Sequence, residues 1–209
     1  MAKGGGSASK AYDRAYFDRW YRDPRARVAT HGSVARKARL VLGVAEALLE
    51  RPVRSVLDVG CGEGAWRAPL KRLRPRVRYA GVDSSVYVVE RFGARRNIVR
   101  GTFGELALLA ESLGGPFDLI VCCDLLQYVP DAELRRGLSA VAALLGGVTY
   151  LEAYANEDDI EGDRRGWHRR TARFYTKEFR HAGFTGVGMH CWVGEELAHR
   201  TATLEHSGR

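Results

Sequence analysis

Residues 56–66 read Val56-Leu57-Asp58-Val59-Gly60-Cys61-Gly62-Glu63-Gly64-Ala65-Trp66, an apolar run that passes into three alternately spaced glycines. Gly60, Gly62 and Gly64 carry no Cβ, so the backbone there can turn sharply and approach a ligand closely. Val56, Leu57 and Val59 suit a parallel strand covered on both faces, and the turn then joins a buried strand to a helix starting near Ala65. This is the chemistry of a nucleotide-cofactor site, with a spacing that differs from the G-x-G-x-x-G of dinucleotide dehydrogenases. A second strand is expected over residues 77–82, with Asp83 at its carboxyl end, 25 residues after Asp58. A carboxylate placed there accepts both hydroxyls of a ribose. The other reading is that Asp83, with Ser84 and Ser85, caps the next helix.

These residues resemble the class I S-adenosylmethionine-dependent methyltransferases. Residues 56–64 match that family's first motif, Asp83 its acidic residue after the second strand, and residues 117–129 its fourth-strand segment. The resemblance extends over residues 53–190 and is much stronger in the cofactor half than in the acceptor half. It implies S-adenosyl-L-methionine as cofactor and S-adenosyl-L-homocysteine as product. Gly60, Gly62 and the backbone near Cys61 would wrap the methionine part. Asp58 would order the amino-acid end or brace the loop, and Asp83 and Ser84 would bracket ribose and adenine. Phe103 and Glu105 are candidates near the adenine, although the sequence from Gly101 to Glu105 departs from the family's usual glycine-aspartate pattern. Cys122 would lend a backbone carbonyl to the cofactor's ammonium group. Asp124 and Tyr128 would face the acceptor or cap the turn into Pro130.

The elements that must position these residues alternate along the chain. Ser33 is the expected N-cap of a one-sided helix reaching Glu50, with Val34, Ala38, Val41, Ala45 and Leu48 on its apolar stripe. Strands are expected over 53–59, 77–82, 97–100, 117–123 and 148–153, with helices at 65–73, 85–92, 105–113, from Pro130 to a stop at Gly146-Gly147, and at 176–182. Residues 184–193 and 197–204 would pair as a closing hairpin. The expected fold class is α/β: a Rossmann-like, doubly wound, seven-stranded, mostly parallel sheet with a C-terminal antiparallel hairpin and an N-terminal helical cap. The expected division is a flexible N-terminus over 1–9, the cap over 10–50 and the cofactor-binding domain over 51–209.

Tyr12, Tyr16 and Trp20 stand four apart and would share one helix face, roofing the cleft with Tyr16 against the cofactor or packing on the sheet. Residues 154–170 are polar and irregular and form a candidate lid. Within it Arg164, Arg165, Arg169 and Arg170 would favour a small-molecule acceptor with a carboxylate or phosphate, or would pair with the loop's own acids. Methyl transfer needs in-line alignment more than a base, and His31, Tyr128 and His168 are the candidates for a catalytic group, with Tyr154 and Tyr175 behind them.

Composition sets the outer bounds. The chain has 209 residues, 45% of them hydrophobic, enough for one α/β core. No stretch has the length of a membrane span and the start lacks an apolar signal core, so no membrane partner and a cytoplasmic location are expected. Cys61, Cys122, Cys123 and Cys191 form no C-x-x-C pair, which excludes a zinc motif and leaves reduced packing residues; no metal is expected. A net charge of +8 keeps a nucleic-acid partner in view, but the basic residues are scattered. The leading function is methyl transfer to a small molecule. The alternatives are an RNA or other nucleic-acid methyltransferase, and a protein that binds the cofactor without turnover. The sequence sets no oligomeric state.

Overall fold

The computed structural model describes residues 10–27, 30–159 and 162–206; the flexible terminus expected over 1–9 lies outside them. A short helix α1 (Arg14–Phe17) runs into a π-turn at Asp18–Arg22, and α2 follows over His31–Leu49. Thr30, and not Ser33, caps α2. The Thr30 hydroxyl accepts from Ser33 N, while Ser33 Oγ accepts from Thr30 N, so Ser33 is the third residue of a capping box.

The sheet contains β1 (Ser55–Val59), β2 (Arg78–Asp83), β3 (Ile98–Arg100), β4 (Phe117–Cys123), β5 (Leu145–Glu152), β6 (Thr185–Gly188) and β7 (Cys191–Val193), in the order β3-β2-β1-β4-β5-β7-β6. The first five are parallel, and β7 pairs antiparallel with both β5 and β6. Helices α3 (Arg67–Leu73), α4 (Val86–Arg96), α5 (Leu106–Leu113), α6 (Asp131–Leu144), α7 (Ala172–His181) and the short α8 (Glu195–Ala198) complete the chain.

Successive strand side chains point to opposite faces, which divides the core in two. Leu57, Val59, Ile120, Cys122 and Leu151 pack beneath α5, α6 and α7, whereas Val56, Tyr79, Leu119, Val121 and Tyr150 pack with α2 and α3. Chain order reverses between β1 and β4, where β1 sits beside both β2 and β4. The carboxyl ends of these two strands open the crevice in which such sheets bind ligands.

Two expected boundaries fall elsewhere. Gly146-Gly147 does not end α6 but lies inside β5, because a Cβ at Gly147 would overlap the Asp118 carbonyl where the β4–β5 register shifts. Residues 184–193 do not form one strand with 197–204 as partner. They fold back on themselves as β6 and β7 through Met189 (φ 51°) and His190 (φ 61°), the left-handed pair of a tight hairpin turn. Residues from Glu195 onward form α8 and a 3₁₀ turn at Thr203–His206.

Candidate active site

The glycine loop is built on the ends of β1 and β2. Gly60 N and Cys61 N both donate to the Val82 carbonyl, at 2.8 and 3.1 Å. Gly60 (φ 67°) lies against Leu125, whose Cδ2 would stand 2.7 Å from any Cβ there. At Gly62 (φ 52°) a Cβ would overlap the hydroxyl of Tyr21. Gly62 N donates to Asp83 Oδ2 at 2.7 Å, and Ser85 N donates to Asp83 Oδ1 at 2.9 Å. Asp83 therefore ties the loop to the start of α4, whose N-cap is Ser85. Burial raises the Asp83 pKa, and the two N–H groups work against that rise.

A cleft of about 740 Å³ opens over this loop. Of the residues singled out in the sequence, Asp58, Gly60, Cys61, Gly62, Asp83, Ser84, Phe103, Tyr16, Tyr128 and His31 line it, with Asp124 and Tyr154. The side chains of Glu105, Cys122 and His168 do not, and neither does that of Tyr175, which is buried in the core. Glu105 caps its own turn, accepting from Thr102 N at 2.9 Å, and Thr102 takes the cleft position. Cys122 points into the core beneath α6, and its neighbour Cys123 reaches the cleft because alternate strand residues face opposite sides. His168 is exposed outside the cleft; its N–H donates to the Gln127 carbonyl at 2.8 Å. Burial pushes both the Cys122 and Cys123 thiols well up, so neither is a thiolate nucleophile.

Asp58 is almost fully buried, and its Oδ2 accepts from the Tyr79 hydroxyl at 2.7 Å. Burial raises its pKa to about 7; the Tyr79 hydrogen bond opposes the rise and the Asp83 charge adds to it. The folded chain thus holds a proton that the unfolded chain releases near its ordinary value, so this group's contribution to stability falls as pH climbs between about 4 and 7. Asp58→Asn is expected to gain stability over the wild type by about 4 kcal/mol on going from pH 4 to pH 8. Denaturant titrations at both pH values measure this, and an offset that ignores pH would contradict it.

The roof of the cleft comes from the N-terminal segment. Tyr12, Tyr16, Phe17, Trp20 and Tyr21 all line it. The four-residue stripe is interrupted, because the π-turn from Asp18 widens the helix and brings Tyr21 beneath Phe17, with ring centroids 4.9 Å apart. Tyr21 carried no signal in the sequence beyond lying in an aromatic-rich stretch. From the far side, Gly162 and Asp163 of the 154–170 loop reach the cleft, and the Tyr128 hydroxyl donates to the Asp163 carbonyl at 2.5 Å.

Within the basic run of that loop, Arg170 serves the fold. Arg170 is buried, with 7% of its surface exposed, and bonds Asp131 Oδ1 at 2.5 and 3.0 Å, the Val129 carbonyl at 2.6 Å and the Leu126 carbonyl at 3.1 Å. It staples the loop to the start of α6. The Arg169 guanidinium lies 6.0 Å from the Trp167 ring.

A doubly wound sheet with a glycine-loop cleft at its switch point defines a nucleotide-cofactor-binding α/β protein. Residues 57–147 match the family model described as "Methyltransferase domain". Over 110 residues the chain is 34% identical to the trans-aconitate 2-methyltransferase of Deinococcus radiodurans, covering 52% of this chain and 41% of that protein. It is 29% identical over 181 residues to the malonyl-[acyl-carrier protein] O-methyltransferase of Dechloromonas aromatica, covering 83% and 64%. The chain spans less than two thirds of the length of these relatives. The fold is similar to that of a sugar N-methyltransferase from Streptoalloteichus sp., with a TM-score of 0.62, 23% identity, and coverage of 88% and 90%.

Proposed function

We propose that this chain is an S-adenosylmethionine-dependent methyltransferase acting on a small-molecule acceptor in the cytoplasm, with residues 10–50 serving as a cap on residues 51–209. One observation carries the reading: the side-chain-free face of the glycine loop, the Asp83 carboxylate and the aromatic roof meet in one cleft at the switch point. A nucleoside fits that donor set, since Asp83 stands at the end of β2 with Gly101, Thr102 and Phe103 beside it on the cleft wall. When bound, the cofactor supplies a methyl group already activated on a sulfonium.

The chain's own part is placement. Gly60 and Gly62 admit the amino-acid end, Asp83 and Ser84 receive the ribose, and Phe103 offers a ring to the base. Asp58 braces the loop from beneath through Tyr79. Tyr16 and Tyr21 close the cleft from above and keep water from the reacting atoms. Enclosure of an acceptor between Tyr128, Asp124 and His31 would fix the line of attack, the main source of rate in such a transfer.

The rival nucleic-acid reading draws on the net charge, yet Arg51, Arg74 and Arg135 are engaged by Asp118, Glu46 and Glu178. The four cysteines are free, in keeping with a reducing compartment. Among the described residues no helix is long and apolar enough to cross a membrane.

Titration calorimetry with S-adenosylhomocysteine tests the reading. Micromolar affinity, about −8 kcal/mol, is expected for the wild type. Asp83→Ala should weaken it by roughly 1.5–3 kcal/mol, the worth of hydrogen bonds to a charged group. Absence of binding to the wild type overturns the function; unchanged affinity in a folded Asp83→Ala removes Asp83 from the ribose site. A protein that binds the cofactor without turnover would show the same heat but no methyl incorporation into a metabolite mixture.

A further inference from the structure

The Lys10 side chain runs into the acceptor end of the cleft, and its ammonium is enclosed by rings. Nζ lies 3.7 Å from the Tyr128 ring centroid and 5.2 Å from those of Tyr12 and Tyr16, within the range of cation–π attraction. Asp163 Oδ2 stands 2.9 Å away, and only 11% of the lysine side chain is exposed. The ammonium is held by this ion pair and by the ring faces around it. Burial raises the Tyr12, Tyr16 and Tyr128 hydroxyls above the usual phenol range, which keeps all three rings neutral. Burial works against ionisation of Asp163, but Lys10 and the Arg165 N–H outweigh it and hold that pKa below the usual range.

Three ring faces and a carboxylate are a poor metal site and a good organic-cation site. Among the described residues no group of three or more His, Cys, Asp or Glu could hold a metal ion. Tyr12, Tyr16, Tyr128 and Asp163 all line the same cleft as the glycine loop, with Asp124 adding a second acidic side chain. Arg170, one of the four arginines expected to favour an anionic acceptor, is tied to Asp131.

We propose that the cage formed by Tyr12, Tyr16, Tyr128 and Asp163 is a subsite for the ammonium group of an amine acceptor, and that Lys10 fills it in the resting chain as a tethered stand-in. This deepens the methyltransferase reading, on which it rests, by naming the acceptor as a molecule that carries a cationic ammonium; the caged nitrogen, protonated and without a lone pair, is the group recognised, and the methyl goes to another atom of the acceptor. A tethered lysine competes at an effective concentration in the millimolar range, so an amine must displace it to enter.

Tetramethylammonium chloride is the probe, with sodium acetate as its anionic counterpart, both titrated into the full chain and followed by tyrosine fluorescence. Lys10→Met is expected to bind tetramethylammonium about tenfold more tightly than the wild type, and the double variant Lys10→Met/Tyr128→Leu to lose about that factor again. S-adenosylhomocysteine should bind the wild type and Lys10→Met alike. Equal tetramethylammonium affinity in wild type and Lys10→Met, or acetate binding in its place, overturns the proposal. So does loss of S-adenosylhomocysteine affinity in Lys10→Met, which would make the lysine part of the cofactor site. A wild type that fails to bind S-adenosylhomocysteine removes the methyltransferase function instead, while the cation titration still reports on the cage.

Discussion

Replacement of Arg170 by methionine is expected to destabilise the protein by about 1–3 kcal/mol, the cost of leaving a buried acceptor without its charged donor. The guanidinium satisfies the carbonyls of Leu126 and Val129 and the Asp131 carboxylate at once. It also stands 5.1 and 5.7 Å from the rings of Phe174 and Tyr175 on α7. Methionine fills the volume but takes the donor from the Val129 carbonyl, whereas the Leu126 carbonyl keeps Val129 N at 3.3 Å and the half-exposed Asp131 carboxylate turns to water; a buried acceptor stripped of its partner carries the desolvation penalty. The loop that follows β5, the turn before α6 and the start of α7 should loosen together. Arg169→Gln is the matched control: its neighbour is exposed and should shift stability by no more than about 0.5 kcal/mol. Urea midpoints of the two variants decide the matter. Similar midpoints would mean that Arg170 is an ordinary surface arginine.

The second large effect is on binding. Gly62→Val is expected to weaken S-adenosylhomocysteine affinity by on the order of 100-fold or more, because two costs add at one residue. The backbone φ of 52° is strained for a β-branched residue, and the new side chain must displace Tyr21 from the loop. Relaxing toward negative φ would swing the Gly62 N–H away from Asp83 and undo the link between loop and β2. The strand that supports the loop is buried along its whole length, so the variant should keep its near-ultraviolet spectrum while losing ligand. Wild-type affinity in this variant would mean that the loop does not touch the cofactor.

The parts of the site that could be read from the sequence are those in which chemistry is local. Strand β4 occupies residues 117–123 as expected: the apolar run from Leu119 to Cys123 suits a strand covered on both faces, and Asp118 at its start is paired with Arg51. The glycine loop and Asp83 are within one βαβ unit, where the connection between strands dictates their approach. Glu105 lies outside the cleft lining, because a carboxylate three residues after Thr102 serves a capping box as readily as a ligand. Cys122 and Cys123 show how one residue of strand register exchanges the core face for the cleft face: the Cys122 side chain packs in the core, and Cys123 lines the cleft.

By itself, then, the sequence determined the class of fold, the order of its strands up to the last helix, and the position of the glycine loop, because short-range pattern and glycine spacing suffice for these. Only the tertiary structure decided which charges are available and what the acceptor end presents. Arg170 and Asp131 are 39 residues apart in sequence, and Tyr128 and Asp163 are 35 apart. Nothing in the composition of either segment tells a paired arginine from a free one. Lys10 follows a glycine- and serine-rich start and has no motif around it, yet it meets Asp163 and Tyr128 across the cleft. Such meetings are set by how α6, the 154–170 loop and the N-terminal segment converge on the carboxyl ends of the sheet, a long-range packing outcome that no local spacing encodes.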